Sequence, residues 1–136
     1  MMAAGRAAEL GARVILFERN PRTGKKLLIT GGGRCNVTNN IDDRHVLVSR
    51  YGGEARGLHS PFSRFSPAAM RAFLSERGLA TREEDEGRVF PVTNSAASIR
   101  EVLERYLRDG GGEVRTRCRV GALVVGSAPA DTVLTG

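Results

Sequence analysis

Lys25, Lys26, Arg34, Asn36 and Asn39 place five hydrogen-bond-donating side chains around one short stretch, Gly24 to Asn40. In its middle the apolar run Leu27-Leu28-Ile29 stops at Thr30 and then at Gly31, Gly32 and Gly33. Consecutive glycines are costly to order, because glycine loses more backbone freedom on folding than any other residue. What they supply is positive φ and a bend without Cβ atoms, whose amides can face an anion or a heterocycle. A surface turn between two strands is the simpler reading of three glycines. Donors on both sides of the bend favour a ligand loop. Cys35 has no second cysteine nearby: it and Cys118 lie far apart and form neither a C-x-x-C nor a zinc spacing. It reads as a small buried residue rather than a nucleophile. His45 and His59 lack partners at ligand spacing, so no metal site is expected.

The elements before this loop would have to position it. Met1 to Leu10, rich in alanine, reads as a helix closed by Gly11. Arg13 to Glu18, Arg-Val-Ile-Leu-Phe-Glu, reads as a buried parallel strand ending on an acid. Helix, glycine, apolar strand and terminal acid form the second half of a dinucleotide-binding βαβ unit, in which the acid accepts hydrogen bonds from ribose hydroxyls. The glycine fingerprint of such a unit lies about 20 residues before the acid. Counting back from Glu18 places it at or before Met1, and no G-x-G-x-x-G occurs in the 136 residues. A Walker A loop is excluded as well, since Gly24-Lys25 is followed by Lys26 rather than Ser or Thr.

Glu18-Arg19-Asn20-Pro21-Arg22-Thr23-Gly24-Lys25-Lys26, continued through Gly31-Gly32-Gly33-Arg34-Cys35-Asn36-Val37-Thr38-Asn39, resembles the signature of a bacterial flavoprotein family. These are FAD-dependent, NAD(P)H-linked oxidoreductases with two dinucleotide-binding domains, of the aminoacetone-oxidase-like or bile-acid-reductase-like kind. Arg88-Val89-Phe90-Pro91-Val92-Thr93 resembles a second, shorter block. The resemblance implies an incomplete Rossmann-type FAD-binding domain over residues 1–136, with parallel strands, flanking helices and a terminal antiparallel β-meander. Its first strand, its phosphate loop and a C-terminal remainder are expected to be missing. It also implies that Glu18 holds the adenosine end, that Lys25 or Lys26 approaches the pyrophosphate, and that Gly31, Gly32, Gly33, Arg34, Cys35 and Asn36 lie along the flavin. Val120 would meet the adenine. Arg34 is read either as a charge near the flavin or pyrophosphate or as a structural arginine bonding its own loop; no residue is singled out as catalytic.

The remaining elements are ordinary. Asn39 to Gly57 reads as polar and irregular. Ser66-Pro67 opens a helix with apolar Met70, Phe73 and Leu74, ended by Gly78. Leu79 to Thr93 reads as a hairpin whose acidic turn, Glu83 to Gly87, is solvated, with Pro91 confining its strand to a sheet edge. Ser95 caps a helix over Ala96 to Asp109, with Ile99, Val102, Leu103, Tyr106 and Leu107 at the helical period. Glu113 to Arg119 should return beside the first strand, followed by meander strands over Val120 to Val125 and Thr132 to Leu134.

Composition bounds the function. Forty per cent apolar and 26% charged residues make an ordinary globular domain without a membrane-length apolar run. Met1 to Leu10 has no apolar core of a signal peptide, and two distant cysteines suit a reduced, cytoplasmic compartment. The net charge of +6 raises a second reading, a small basic nucleic-acid-binding module. Against it, the arginines are scattered and aromatic residues are few. The expected whole enzyme moves a hydride from NAD(P)H through FAD to a small organic acceptor. The chain alone is expected to retain FAD weakly or not at all, or to be an inactive remnant, and to tend to aggregate through the apolar edge of its Arg13 to Glu18 strand.

Overall fold

A computed structural model describes residues 1–123. The chain forms two compact units, one of Met1–Lys25 together with the stretch from Glu104 onward, the other of Lys26–Leu103.

In the first unit, helix α1 (Met2–Glu9) stops as the sequence leads one to expect. Gly11 sits at φ +87°, its N–H donating to Ala8 O at 2.9 Å while Ala12 N–H reaches Ala7 O at 3.0 Å. A left-handed glycine closes a helix this way without a Cβ clash. Strands β1 (Ile15–Glu18) and β5 (Glu113–Thr116) pair in parallel, with Ile15 opposite Glu113 and Glu18 opposite Thr116. Helix α5 (Ala96–Asp109), whose last turns belong to this unit, leads into β5. Gly5 is buried because the Tyr106 ring lies directly on it; a Cβ there would fall 2.4 Å from Tyr106 Cδ1. The Tyr106 hydroxyl donates to Glu9 Oε2 at 2.8 Å, and the buried Thr23 hydroxyl donates to Glu104. Ile15 and Phe17 on β1 stay 41% and 39% exposed, so this strand is not fully buried.

The second unit is built on an antiparallel sheet of order β2-β4-β3, from β2 (Thr38–Asn39), β3 (Thr81–Glu84) and β4 (Arg88–Pro91). Pro91 therefore lies on the central strand, not on an edge strand. Val89 O accepts from Val37 N–H and Val92 N–H donates to Ala80 O, so residues 89 and 91 turn their peptide groups toward β2. That strand pairs only with Arg88 and Val89, and the proline's missing donor falls beyond its end.

Helices α2 (Arg44–Ser49), α3 (His59–Arg64) and α4 (Pro67–Glu76) complete the unit. The region expected to be irregular from Asn39 to Gly57 contains α2. The Asp43 carboxylate accepts from His45 N–H at 2.7 Å and Val46 N–H at 3.0 Å, capping a helix that buries Leu47 and Val48. Val46 and Val48 are weak helix formers, which hid the helix from propensity; burial overrides a few tenths of a kcal/mol per residue. Ser66 caps α4 by accepting from Ala69 N–H, and Ser95 accepts from Ala97 N–H at the start of α5. Ile99, Val102, Leu103, Tyr106 and Leu107 of α5 are all buried. At roughly 1.5–3 kcal/mol for each large apolar side chain, that stripe outweighs any local propensity.

The α/β class with a parallel sheet, flanking helices and a small antiparallel sheet is that of a Rossmann-like fold. The antiparallel sheet is drawn from residues 38–91, in the middle of the chain. Residues 120–123 carry no strand, and the rest of the expected meander lies outside the described residues. Among the described residues no helix is long and apolar enough to cross a membrane.

Candidate functional site

The glycine bend has the backbone that its residue types demand. Gly31, Gly32 and Gly33 take φ of +55°, +66° and +85°, and Cys35 follows at +62°. The preceding Leu27–Gly33 segment is a 3₁₀ turn broken at Thr30, where ψ opens to 149°. A Cβ on Gly31 would lie 2.9 Å from Asn36 N and 3.0 Å from Phe90 Cε1, whereas Gly32 has nothing within 4 Å. Gly31 is therefore a close-packing glycine and Gly32 an open one. Both are exposed, as is Ile29. The bend's own carbonyls use two nearby amides: Arg34 N–H donates to Gly31 O at 3.3 Å and Cys35 N–H to Thr30 O at 3.0 Å. Cys35 is buried, which suits the packing role read from the sequence.

Arg34 does not bond the carbonyls of its loop with its side chain. Its Nη1 donates to both carboxylate oxygens of Glu84 at 2.9 Å, and its guanidinium lies 4.0 Å from the centre of the Phe90 ring. Arg82 donates to the same Glu84 oxygen through Nε at 3.1 Å and Nη2 at 2.9 Å, and to Asn94 Oδ1. Asn36 Oδ1 accepts from Val89 N–H at 3.3 Å, joining the loop to β4. Glu83 accepts from Asn40 Nδ2 at 2.6 Å, so the acidic run is more than a solvated turn. Sequence reasoning passed over Glu84 and Phe90 as site residues. The available signal was that Arg34 needs a counter-charge, and Glu83 to Glu86 form the densest acidic run in the chain.

Donors from Arg82, then Arg34, hold the Glu84 carboxyl below its ordinary value of 4.5. Asp43 is lowered in the same sense by the Val46 and His45 amides. A carboxyl that ionises more readily when folded contributes stability in full above its unfolded value, and loses it as pH falls through the lower folded value. Urea midpoints are thus expected to hold level down to about pH 5 and then decline, less steeply in Glu84→Gln than in the parent chain. Parallel declines in the two proteins would remove Glu84 from the account.

In the other unit, Glu18 closes β1 with Oε1 accepting from Asn20 N–H at 2.8 Å and Asn20 Nδ2 at 2.7 Å. Those bonds, the backbone one first, lower its pKa below 4.5, so it is an anion at neutral pH. The carboxylate is half-buried at the strand end, where the neighbouring Arg19 backbone also favours its charged form. Cys118 N–H donates to Glu18 O, and Arg117 N–H to Asn20 O, extending the link to the segment after β5. Lys25 and Val120 of this unit are exposed, as is Lys26 at the start of the other. The structure thus joins Gly31, Arg34, Asn36, Glu84 and Phe90 in one unit, and places Glu18, Lys25 and Val120 in the other. The His45 and His59 rings lie 5.0 Å apart at a tilt, and no cluster of metal-ligating side chains occurs among the described residues.

Parallel strands flanked by helices, with a carboxylate closing the first of them, are the arrangement of a Rossmann-like fold. The chain belongs to a family of FAD-binding flavoproteins of this class: residues 1–132 match the family described as HI0933-like protein Rossmann domain. It is similar to the 3-dehydro-bile acid delta(4,6)-reductase of Clostridium scindens, at 35% identity over 112 residues, 82% of this chain and 26% of that protein. It is also similar to the ribosomal RNA dihydrouridine synthase of Escherichia coli, at 28% identity over 88% of this chain and 29% of that protein. The corresponding synthase of Haemophilus influenzae is 26% identical over the same shares. The chain therefore spans between a quarter and a third of the length of these curated relatives.

Proposed function

We propose that this chain is the part of an oxidoreductase that holds FAD, in an enzyme taking a hydride from NAD(P)H and delivering it to a small organic acceptor. The observation that carries this reading is the ionised, half-buried Glu18 carboxylate at the end of β1, held in place there by the Asn20 backbone and side-chain N–H groups. A carboxylate so placed accepts from ribose hydroxyls. The residues present suit the dinucleotide: Glu18 would take the ribose, Lys25 or Lys26 the pyrophosphate charge, Val120 the adenine edge, and the Cβ-free bend at Gly31, Gly32 and Gly33 the flavin. The flavin ring, when bound, supplies the hydride chemistry. Arg34 works differently from a free cation. Its charge is compensated by Glu84 and its plane rests on Phe90, so it orients the bend between Thr30 and Asn36. Asn36 ties that bend to β4 by accepting from Val89 N–H, and the Cys35 N–H closes it on Thr30 O.

An equilibrium titration with FAD, read by flavin fluorescence, tests the reading. Saturable binding is expected, too weak to survive gel filtration, and weakened about tenfold in Glu18→Gln, which removes the charge that strengthens the ribose hydrogen bonds. No saturation by about 1 mM FAD, or no effect of Glu18→Gln, would reject it. A second reading concerns the acceptor. Two relatives are named ribosomal RNA dihydrouridine synthases and the chain carries +6, and these two observations support RNA as the acceptor in this second reading. A steep fall of RNA affinity with salt would support that acceptor, and no binding at moderate salt would dismiss it.

A further inference from the structure

The Lys26–Leu103 unit holds a cleft of roughly 700 Å³ that the flavin reading does not use. Its size lies within the range of about 300–1,000 Å³ that organic ligands occupy, and is far larger than a single inorganic ion requires. Its wall combines two kinds of surface. Ile41, Leu47 and Tyr51 supply the apolar side, with Leu47 buried in α2 and Tyr51 60% exposed beside it. Arg50 and Arg88 supply guanidinium groups.

The charges in the cleft are unequal. Among the described residues, no carboxylate pairs with Arg50. Among the described residues, Arg88 donates through Nε to Asp85 O at 3.0 Å and no carboxylate pairs with its terminal nitrogens. Glu86 carries the single carboxylate of the lining, against two guanidinium groups. The other polar groups are already engaged and hold the wall in place. Asn39 Nδ2 donates to Glu86 O at 3.0 Å, Asn40 Nδ2 to Glu83, and Asn40 Oδ1 accepts from Arg71 at 2.9 Å. Glu86 and Gly87 adopt positive φ at +62° and +71°, and a Cβ on Gly87 would lie 3.2 Å from Asn39 Oδ1. This is a braced pocket wall with two guanidinium groups that no carboxylate among the described residues neutralises.

We infer that this cleft binds an amphipathic organic anion, its apolar or aromatic body against Ile41, Leu47 and Tyr51 and its carboxylate or phosphate on Arg50 and Arg88. A guanidinium pairs with either acid group through parallel N–H donors, and an aromatic ring beside it takes a flat body. Neither half of the ligand suffices alone. An inorganic anion leaves the apolar wall wet, and a neutral arene leaves both guanidinium groups unpaired.

The test needs no flavin, so its outcome is separate from that of the FAD titration. Backbone amide NMR on the full chain would follow additions of 2-naphthoate, 2-naphthyl phosphate, 2-naphthalenemethanol and inorganic phosphate. The two naphthyl anions are expected to shift the amides of Asn39, Arg50, Tyr51 and Arg88, and to bind at least about tenfold tighter than the other two probes. The stronger of the two anions identifies the acid group. Arg50→Gln, on an exposed helix end, should weaken the anions about tenfold while leaving the rest of the spectrum in place. Arg88→Gln should do the same; should that β4 variant not fold, added salt weakening the anions but not the alcohol provides the second measurement. Equal binding of the alcohol, equal binding of inorganic phosphate, unchanged affinity in Arg50→Gln, or shifts confined elsewhere would overturn the inference.

Discussion

Phe90→Ala is expected to destabilise the chain by about 3–5 kcal/mol, seen as a large drop in the urea midpoint by far-UV circular dichroism. Phe90 is 2% exposed on the central strand of the antiparallel sheet, between Val89 at 0% and the buried Pro91. Removing a whole ring there loses its transfer free energy and leaves a cavity that strand neighbours cannot close. The net stability of a domain is only about 5–15 kcal/mol, so this one change would consume a large part of it. Phe90 also seats the Arg34 guanidinium and stands 3.0 Å from where a Gly31 Cβ would be. Phe90→Leu keeps most of the volume and should cost less than about 1.5 kcal/mol while still removing the aromatic face. A Phe90→Leu chain as stable as the parent but with an altered FAD titration would separate the site role of the ring from its core role. If Phe90→Ala lowers stability by less than about 1 kcal/mol, the ring is not the keystone of this sheet.

The second large effect concerns two neighbouring glycines with different expected outcomes. Gly31→Ala places a Cβ 2.9 Å from the backbone nitrogen of Asn36 and 3.0 Å from the Phe90 ring, at φ +55°. Neither neighbour is a flexible side-chain end, so the bend itself must move. A cost of about 2–4 kcal/mol is expected, the left-handed penalty of about 1–2 kcal/mol plus overpacking. Gly32→Ala meets nothing within 4 Å and should show the left-handed penalty alone, about 1–2 kcal/mol. Equilibrium unfolding of both variants reads the difference directly. Equal losses would mean that the approach of Gly31 to Phe90 carries no energy, and the close-packing account of that bend would fall. In FAD titration the order can reverse, since Gly32 has the open side that a ligand could approach.

Within the Lys26–Leu103 unit, the later part of the first block that resembles a flavoprotein signature is tied to the second block. Gly31 and Arg34 come from the first block, Phe90 and Val89 from the second, and they meet far apart in sequence through the Arg34–Phe90 stacking, the close approach of Gly31, and hydrogen bonds from Val89 N–H to Asn36 Oδ1 and from Val37 N–H to Val89 O. The parallel pairing of β1 with β5 and the burial of the α5 stripe follow the sequence reading closely. Both rest on patterns that local chemistry sets: an apolar run ending on an acid, and five apolar residues at the helical period. Helix α2 was missed because its valines argue against a helix, and only the Asp43 cap argued for one.

What the amino-acid order determined by itself was therefore the set of local commitments: where helices start and stop, which face of α5 is apolar, and that residues 31–33 need left-handed backbone. Tertiary structure alone decided who neutralises whom. Glu84 and Arg34 are 50 residues apart, and no periodicity links them. Pro91 could be central only because β2 stops two residues short of it, a fact of strand length in space rather than of the proline. The Arg50 and Arg88 cleft likewise joins a helix end to a strand start. Long-range pairs of this kind are chosen by packing, where the desolvation of a charge is offset only by the partner that the fold brings within reach.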